Sequence, residues 1–123
     1  MYLNKAIIAG NCAADPEIRE LAGKKGASFR IGITEKYKDT DNQFQEKTEW
    51  INIVAWGKTA EVAEKYVKKG TAVLVEGKIQ NRQWNDREGN KRYTTEVLAS
   101  NIQVDKARTS RASSQQQSDD YNF

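Results

Sequence analysis

The stretch "TEWINIVAWGKTAEVAEKYVKKG", Thr48–Gly70, decides the fold class. Its first half alternates. Ile51, Ile53 and Ala55 fall on one side, and Trp50, Asn52, Val54 and Trp56 on the other, which is the period of a half-buried strand. Its second half changes period. Val62, Ala63, Tyr66 and Val67 recur at helical spacing among charged residues, which predicts an amphipathic helix with Tyr66 in the core. Gly70 suits the C′ position of that helix, and Lys68 and Lys69 suit the negative end of its dipole.

Strands flank this unit on both sides. Upstream, "SFRIGITEK" alternates Phe29, Ile31 and Ile33 against Arg30, Gly32 and Thr34. Further back, "LNKAIIAGN" reads as a first strand that ends before Pro16. "EIREL" follows as a short extended or turn segment ahead of the glycine-rich "AGKKGA". "YKDTDNQFQE" reads as a polar loop carrying aromatics; Asp39–Glu46 resembles a calcium loop only faintly, since the required glycine is missing. Downstream, "TAVLVEGKIQ" returns to strand, and "NRQWNDREGNKRYTTEVLASNIQV" reads as a long hairpin turning in "DREGN" and then a last strand. Three strands, a helix and two strands predict an all-β domain with one helix, a five-stranded OB-fold barrel with a projecting β-hairpin. A small β-sandwich with one helix has the same periodicities.

The periodic pattern stops near residue 105, which sets the expected organisation. Residues 1–105 form the domain, 106–118 a disordered linker and 119–123 an acidic and aromatic tip. A chain of 123 residues, 37% hydrophobic and 30% charged, has apolar matter for one modest core. No run is long enough to cross a bilayer, and the apolar stretch at the N-terminus is too short and interrupted for a secretory signal. A cytoplasmic protein is expected.

Several chemistries are excluded by residue type. With one cysteine and no histidine, neither a structural zinc site nor a histidine-activated nucleophile can be assembled. Cys12 reads as a small buried thiol, and Asp15 and Glu17 bracket Pro16 as turn residues. The remaining acids are scattered, so the metal cluster of a nuclease is not expected. "AGKKGA" has neither the spacing of a phosphate loop nor a following helix. The chain is therefore expected to be no enzyme and to need no cofactor or metal.

The aromatic residues point elsewhere. Trp50 and Trp56 share the strand face opposite Ile51 and Ile53, Trp84 lies among polar residues near the hairpin base, and Tyr37 stands between Lys36 and Lys38. Lys58 follows Trp56 by two residues and Arg82 precedes Trp84 by two. Rings interleaved with cations suit a single nucleic-acid strand, because rings take bases and cations take phosphates. Structural roles compete with this reading: Trp50 could close a barrel end, Trp56 could pack on the helix, and Tyr37 could anchor a loop. The charge balance is only +3 overall. Lys106, Arg108 and Arg111 are followed by Asp119 and Asp120, so the acids lie at the tip behind a short basic run.

The series "NKAIIAGN…DPEIR", "KTEWINIVAWGKTAEVAEKYVKKG", "VEGKIQNRQW" and "RYTTEV" resembles the bacterial single-stranded DNA-binding protein family over residues 3–105. The resemblance implies an OB-fold, a homotetramer, and single-stranded DNA wrapped with little sequence preference during replication, recombination and repair. It implies base stacking by Tyr37, Trp50, Trp56 and Trp84, with Tyr37 where the family often has Trp and Trp56 where it often has Phe. Arg19, Lys58, Lys69 and Arg82 match positions expected to meet phosphate; Gln83 replaces a frequent basic residue. Ile51 stands where some members have His. The tip Asp119, Asp120, Tyr121, Asn122 and Phe123 keeps the acids and final Phe of the family, with Tyr-Asn for Ile-Pro, and implies docking of partner enzymes. The alternative is an OB-fold primosome-type adaptor that mainly docks other proteins.

Overall fold

The structure is a computed structural model, and residues 1–105 are described. The expected linker 106–118 and tip 119–123 lie outside them. Six strands and one helix follow in the order β1 (Ala6–Cys12), β2 (Glu17–Leu21), β3 (Lys24–Lys38), β4 (Phe44–Trp56), α1 (Gly57–Tyr66), β5 (Ala72–Asn85) and β6 (Lys91–Val104). The hydrogen-bonded order is β1-β5-β6-β4-β3-β2, and β1 also pairs with β3 at Asn11↔Gly32 and Cys12↔Ile31. The sheet thus closes on itself. Its one parallel seam joins β4 to β6 at Ile53↔Val97. This is the OB-fold barrel, with β1 and β2 as two pieces of a first strand interrupted around Pro16, both lying against β3.

Alternation places the core. Phe29 and Ile31 from β3, Ile53 and Ala55 from β4, Val73 and Val75 from β5, and Val97 and Ala99 from β6 are buried together. Helix α1 adds Ala60 and Ala63, and Val67 follows from just beyond it. Fully burying a side chain such as Ile53 or Val75 stabilises the fold by about 1.5–3 kcal/mol. Cys12 is buried as read, with its thiol donating to the carbonyl of Ala14 at 2.9 Å; burial pushes its pKa up, so it stays a thiol. At the entry to β1, Asn4 imitates a strand residue: its Nδ2 donates to Ile79 O at 2.7 Å and its Oδ1 accepts Ile79 N–H at 2.9 Å. That pairing extends β1 past the bulge at Glu76/Gly77.

Four local expectations are corrected. "EIREL" is a true strand, joined to β3 by the two-residue turn Ala22–Gly23, so most of "AGKKGA" is strand. "YKDTDNQFQE" is half strand, because Tyr37↔Gln45 and Lys38↔Phe44 continue the ladder and leave residues 39–43 to turn. The helix ends at Tyr66, with Val67 extended, and Gly70 is not its C′ residue. The chain must turn early there: Thr71 Oγ1 accepts Lys68 N–H at 3.0 Å, Lys68 Nζ reaches Glu64 O at 3.2 Å, and Gly70 N–H bonds Cys12 O at 2.9 Å. Tyr66 itself is only partly buried.

The two projecting hairpins turn in the same way. In the β3–β4 turn Asp39 Oδ1 accepts Asp41 N–H and Gln43 N–H, both at 2.9 Å, while Oδ2 accepts Gln45 Nε2 at 3.0 Å. In the β5–β6 turn Asp86 Oδ1 accepts Glu88 N–H and Asn90 N–H, both at 2.9 Å, while Oδ2 accepts Arg92 Nε at 2.9 Å. Asn42 and Gly89 take the equivalent left-handed positions, φ 65° and 81°. These donors hold both carboxyls below their usual range, chiefly the N–H of Gln43 for Asp39 and that of Asn90 for Asp86. Both carboxylate oxygens of Asp39 in the calcium-like stretch are thus engaged by the turn.

Candidate nucleic-acid interface

The register of the sheet builds one outer face. Ile53 and Val97 point inward as parallel neighbours, so even-numbered residues of β3, β4 and the outer half of β5 point outward together. That face carries Trp50, Trp56 and Trp84, with Trp50 51% and Trp84 42% exposed. The three tryptophans read from the sequence therefore all lie on the outer surface of the barrel, and Trp50 is half exposed rather than buried.

Glycines seat two of the indoles. Gly32 is the register partner of Trp50 and Gly26 of Trp56. A Cβ at Gly32 would stand 2.7 Å from Trp50 Cζ3, and one at Gly26 would stand 2.7 Å from Trp56 Cζ3. Only the bare glycine backbone lets each ring lie down across the neighbouring strand. Trp84 is fixed differently: its Nε1 donates to Thr94 Oγ1 at 2.9 Å. A ring held flat at its back offers its other face without further loss of rotamer freedom.

Cations stand beside each ring. Arg30 Cζ lies 5.2 Å from the Trp50 ring centroid, within cation–π range. Arg19 pairs with Gly26, so Arg19, Gly26 and Trp56 form one row across β2, β3 and β4. Lys58 is exposed in the first turn of α1, which has no acidic residue and no side-chain cap. A positive side chain at the positive end of a helix dipole is unfavourable for stability and concentrates positive potential beside Trp56. Arg82 is held by Nε against Glu96 Oε2 at 3.4 Å. Glu96 is nearly fully buried and also accepts Gln80 Nε2 at 2.8 Å, so the guanidinium is anchored from below.

Lys69 and Trp50 meet at a groove of about 320 Å³, which Asn11, Thr34 and Thr48 also line. The two threonine hydroxyls bond each other at 2.9 Å, and Lys69 N–H bonds Asp15 Oδ1 at 2.8 Å, tying the turn that presents it. Tyr37 is placed apart. It is 49% exposed, but its odd position on β3 puts it on the opposite face of the hairpin from Trp50 and Trp56. Arg30 and Asn11 are additions to the residues read from the sequence. Arg30 was legible as an outward position in "FRIGI"; Asn11 reaches the groove only through the β1–β3 closure.

Among the described residues no group of three or more His, Cys, Asp or Glu could hold a metal ion, and no helix is long and apolar enough to cross a membrane.

The comparisons with known proteins agree with this architecture. The single-strand binding protein family matches residues 3–105. Single-stranded DNA-binding protein 1 of Chlorobaculum tepidum is 42% identical over 104 residues, which cover 83% of this chain and 64% of that protein. Single-stranded DNA-binding protein 1 of Xylella fastidiosa is also 42% identical over 104 residues, covering 83% and 76%. The Plasmodium falciparum SSB in complex with ssDNA superposes with a TM-score of 0.75 at 28% identity, over 85% of this chain and 96% of that one. An OB-fold barrel with tryptophans and cations on one outer face is the class these features define. The chain belongs to the single-strand binding protein family.

Proposed function

We propose that this protein binds single-stranded DNA without sequence preference, protecting and organising it during replication, recombination and repair. The observation that carries this reading is the outer face itself, where Trp50 and Trp56 lie over Gly32 and Gly26 with cations alongside. In this reading Trp50, Trp56 and Trp84 stack on bases, and Tyr37 takes a base from the other side of its hairpin. Arg19, Lys58, Lys69 and Arg82 neutralise phosphates. Each stacked ring contributes on the order of 1–3 kcal/mol, and the strand is held through faces common to all bases. Membership of the family and the likeness to a relative solved with ssDNA support it.

The same reading includes self-association as a homotetramer and recruitment of partner enzymes by Asp119–Phe123. Ile7 and Leu74, 64% and 39% exposed, lie on the outward side of the paired β1 and β5 and give an apolar surface suited to a second copy.

The test compares labelled oligo-dT with a labelled duplex by fluorescence anisotropy. Tight binding of the single strand, much weaker binding of the duplex and a fall in affinity with salt are expected. Equal affinity for both would contradict the proposal. Deleting residues 119–123 should leave oligo-dT binding intact and remove only partner docking.

A further inference from the structure

The outer face of β4 carries a ring at every sixth residue, Phe44, Trp50 and Trp56. Six residues of strand advance about 20 Å and keep the side chain on the same side of the pleat. Two of these rings already belong to the candidate interface. Phe44 does not, and it has no role in the core: it is 73% exposed near the tip of the β3–β4 hairpin. It is nevertheless furnished as the others are. Lys38, its register partner on β3, holds Nζ 5.4 Å from the ring centroid, as Arg30 stands to Trp50 one step along. Lys36 lies on the same outer face, paired across the ladder with Glu46. On this outer face of the ladder, two lysines against one glutamate leave an excess of one positive charge beside the ring, which complements phosphate.

We propose that Phe44 and Lys38 form a further stacking site for single-stranded DNA. A base lies on the exposed face of the Phe44 ring, and the Lys38 ammonium turns from the ring to the adjoining phosphate. The site continues the line of Trp56 and Trp50 along β4 towards the hairpin tip, so only a strand long enough to pass beyond Trp50 reaches it. This rests on the proposed function, since it extends the same face.

The experiment measures oligo-dT affinity at two lengths, about 4 and about 16 nucleotides, the range a single OB-fold accommodates. Phe44→Ala is expected to leave the short strand's affinity unchanged and to weaken the long strand about five- to tenfold. Phe44→Trp should restore the long-strand affinity and add an emission that the long strand alone quenches. Lys38→Ala should lower the salt slope by about one, for the long strand only. If Phe44→Ala binds both lengths as the unaltered protein does, or weakens both by one factor, the site is overturned while the proposed function stands. If the unaltered protein binds neither length, both fall.

Discussion

At the residue scale, the candidate interface depends on two glycines as much as on its tryptophans. Trp50 and Trp56 lie flat because Gly32 and Gly26 have no Cβ to lift them. Gly32→Ala places a methyl group 2.7 Å from the Trp50 ring. Trp50 is half exposed and has room to swing outward, so the barrel should fold normally. Under the proposed function, oligo-dT affinity should fall about fivefold or more, the lower end of a lost stack. Circular dichroism would report the intact fold and anisotropy the lost affinity; unchanged affinity would mean that the seat of the ring does not matter. The ring positions were legible in the sequence because alternation assigns Trp50 and Trp56 to the face opposite Ile51 and Ile53. Their seats were not, since which glycine meets which ring is set by the β3–β4 register, a long-range pairing.

At the element scale, both hairpins rely on an aspartate that satisfies the backbone of its own turn. The folded pKa values of Asp39 and Asp86 are depressed, so their stabilisation is fully present above the unfolded value of about 3.9 and is lost as pH falls through the folded values. Amide protection in both turns, relative to the intrinsic exchange rate at each pH, should therefore fall together below about pH 4, ahead of the barrel core. Protection that stays unchanged there would show that the carboxylates are not what closes the turns. The β2–β3 turn makes a different prediction. Ala22 holds φ 54° and Gly23 holds φ 77°, a two-residue hairpin turn in which Asn-Gly is favoured. Ala22→Asn should stabilise the domain by about 1 kcal/mol in urea unfolding, and a loss of stability would contradict this account of the turn.

These elements also show where sequence reading stops. The strand of Phe29, Ile31 and Ile33 and the helix of Val62 and Ala63 were legible because each buries a face at its own period. The outer arms of the β3–β4 hairpin were not. Residues such as Lys36, Lys38, Gln45 and Glu46 bury nothing, so no hydrophobic period marks them, and they are strand only because the opposite arm continues the ladder. The early end of α1 was hidden for a related reason. Gly70 looks like a helix stop, but Thr71 takes the N–H of Lys68 and Cys12 takes that of Gly70, and the pairing with Cys12 joins residues far apart in the sequence.

At the scale of the whole molecule, the proposed function gives the barrel two working surfaces. The Ile7 and Leu74 side belongs to self-association in the proposed reading, and the tryptophan face to the strand. Ile7→Glu combined with Leu74→Glu should reduce the mass seen by light scattering while each barrel keeps its fold. An unchanged mass would place the contact elsewhere. Under the proposed function the small net charge of +3 suffices because cations stand beside the rings, and the buried acid Glu96 is already engaged by Gln80 and Arg82. The central claim is that the tryptophan face stacks on the bases of single-stranded DNA. Intrinsic tryptophan emission tests it most directly, titrated with oligo-dT at low salt. The account predicts strong quenching that saturates with added strand and reverses as salt is raised. Emission that does not change at low salt, where binding is tightest, would contradict it.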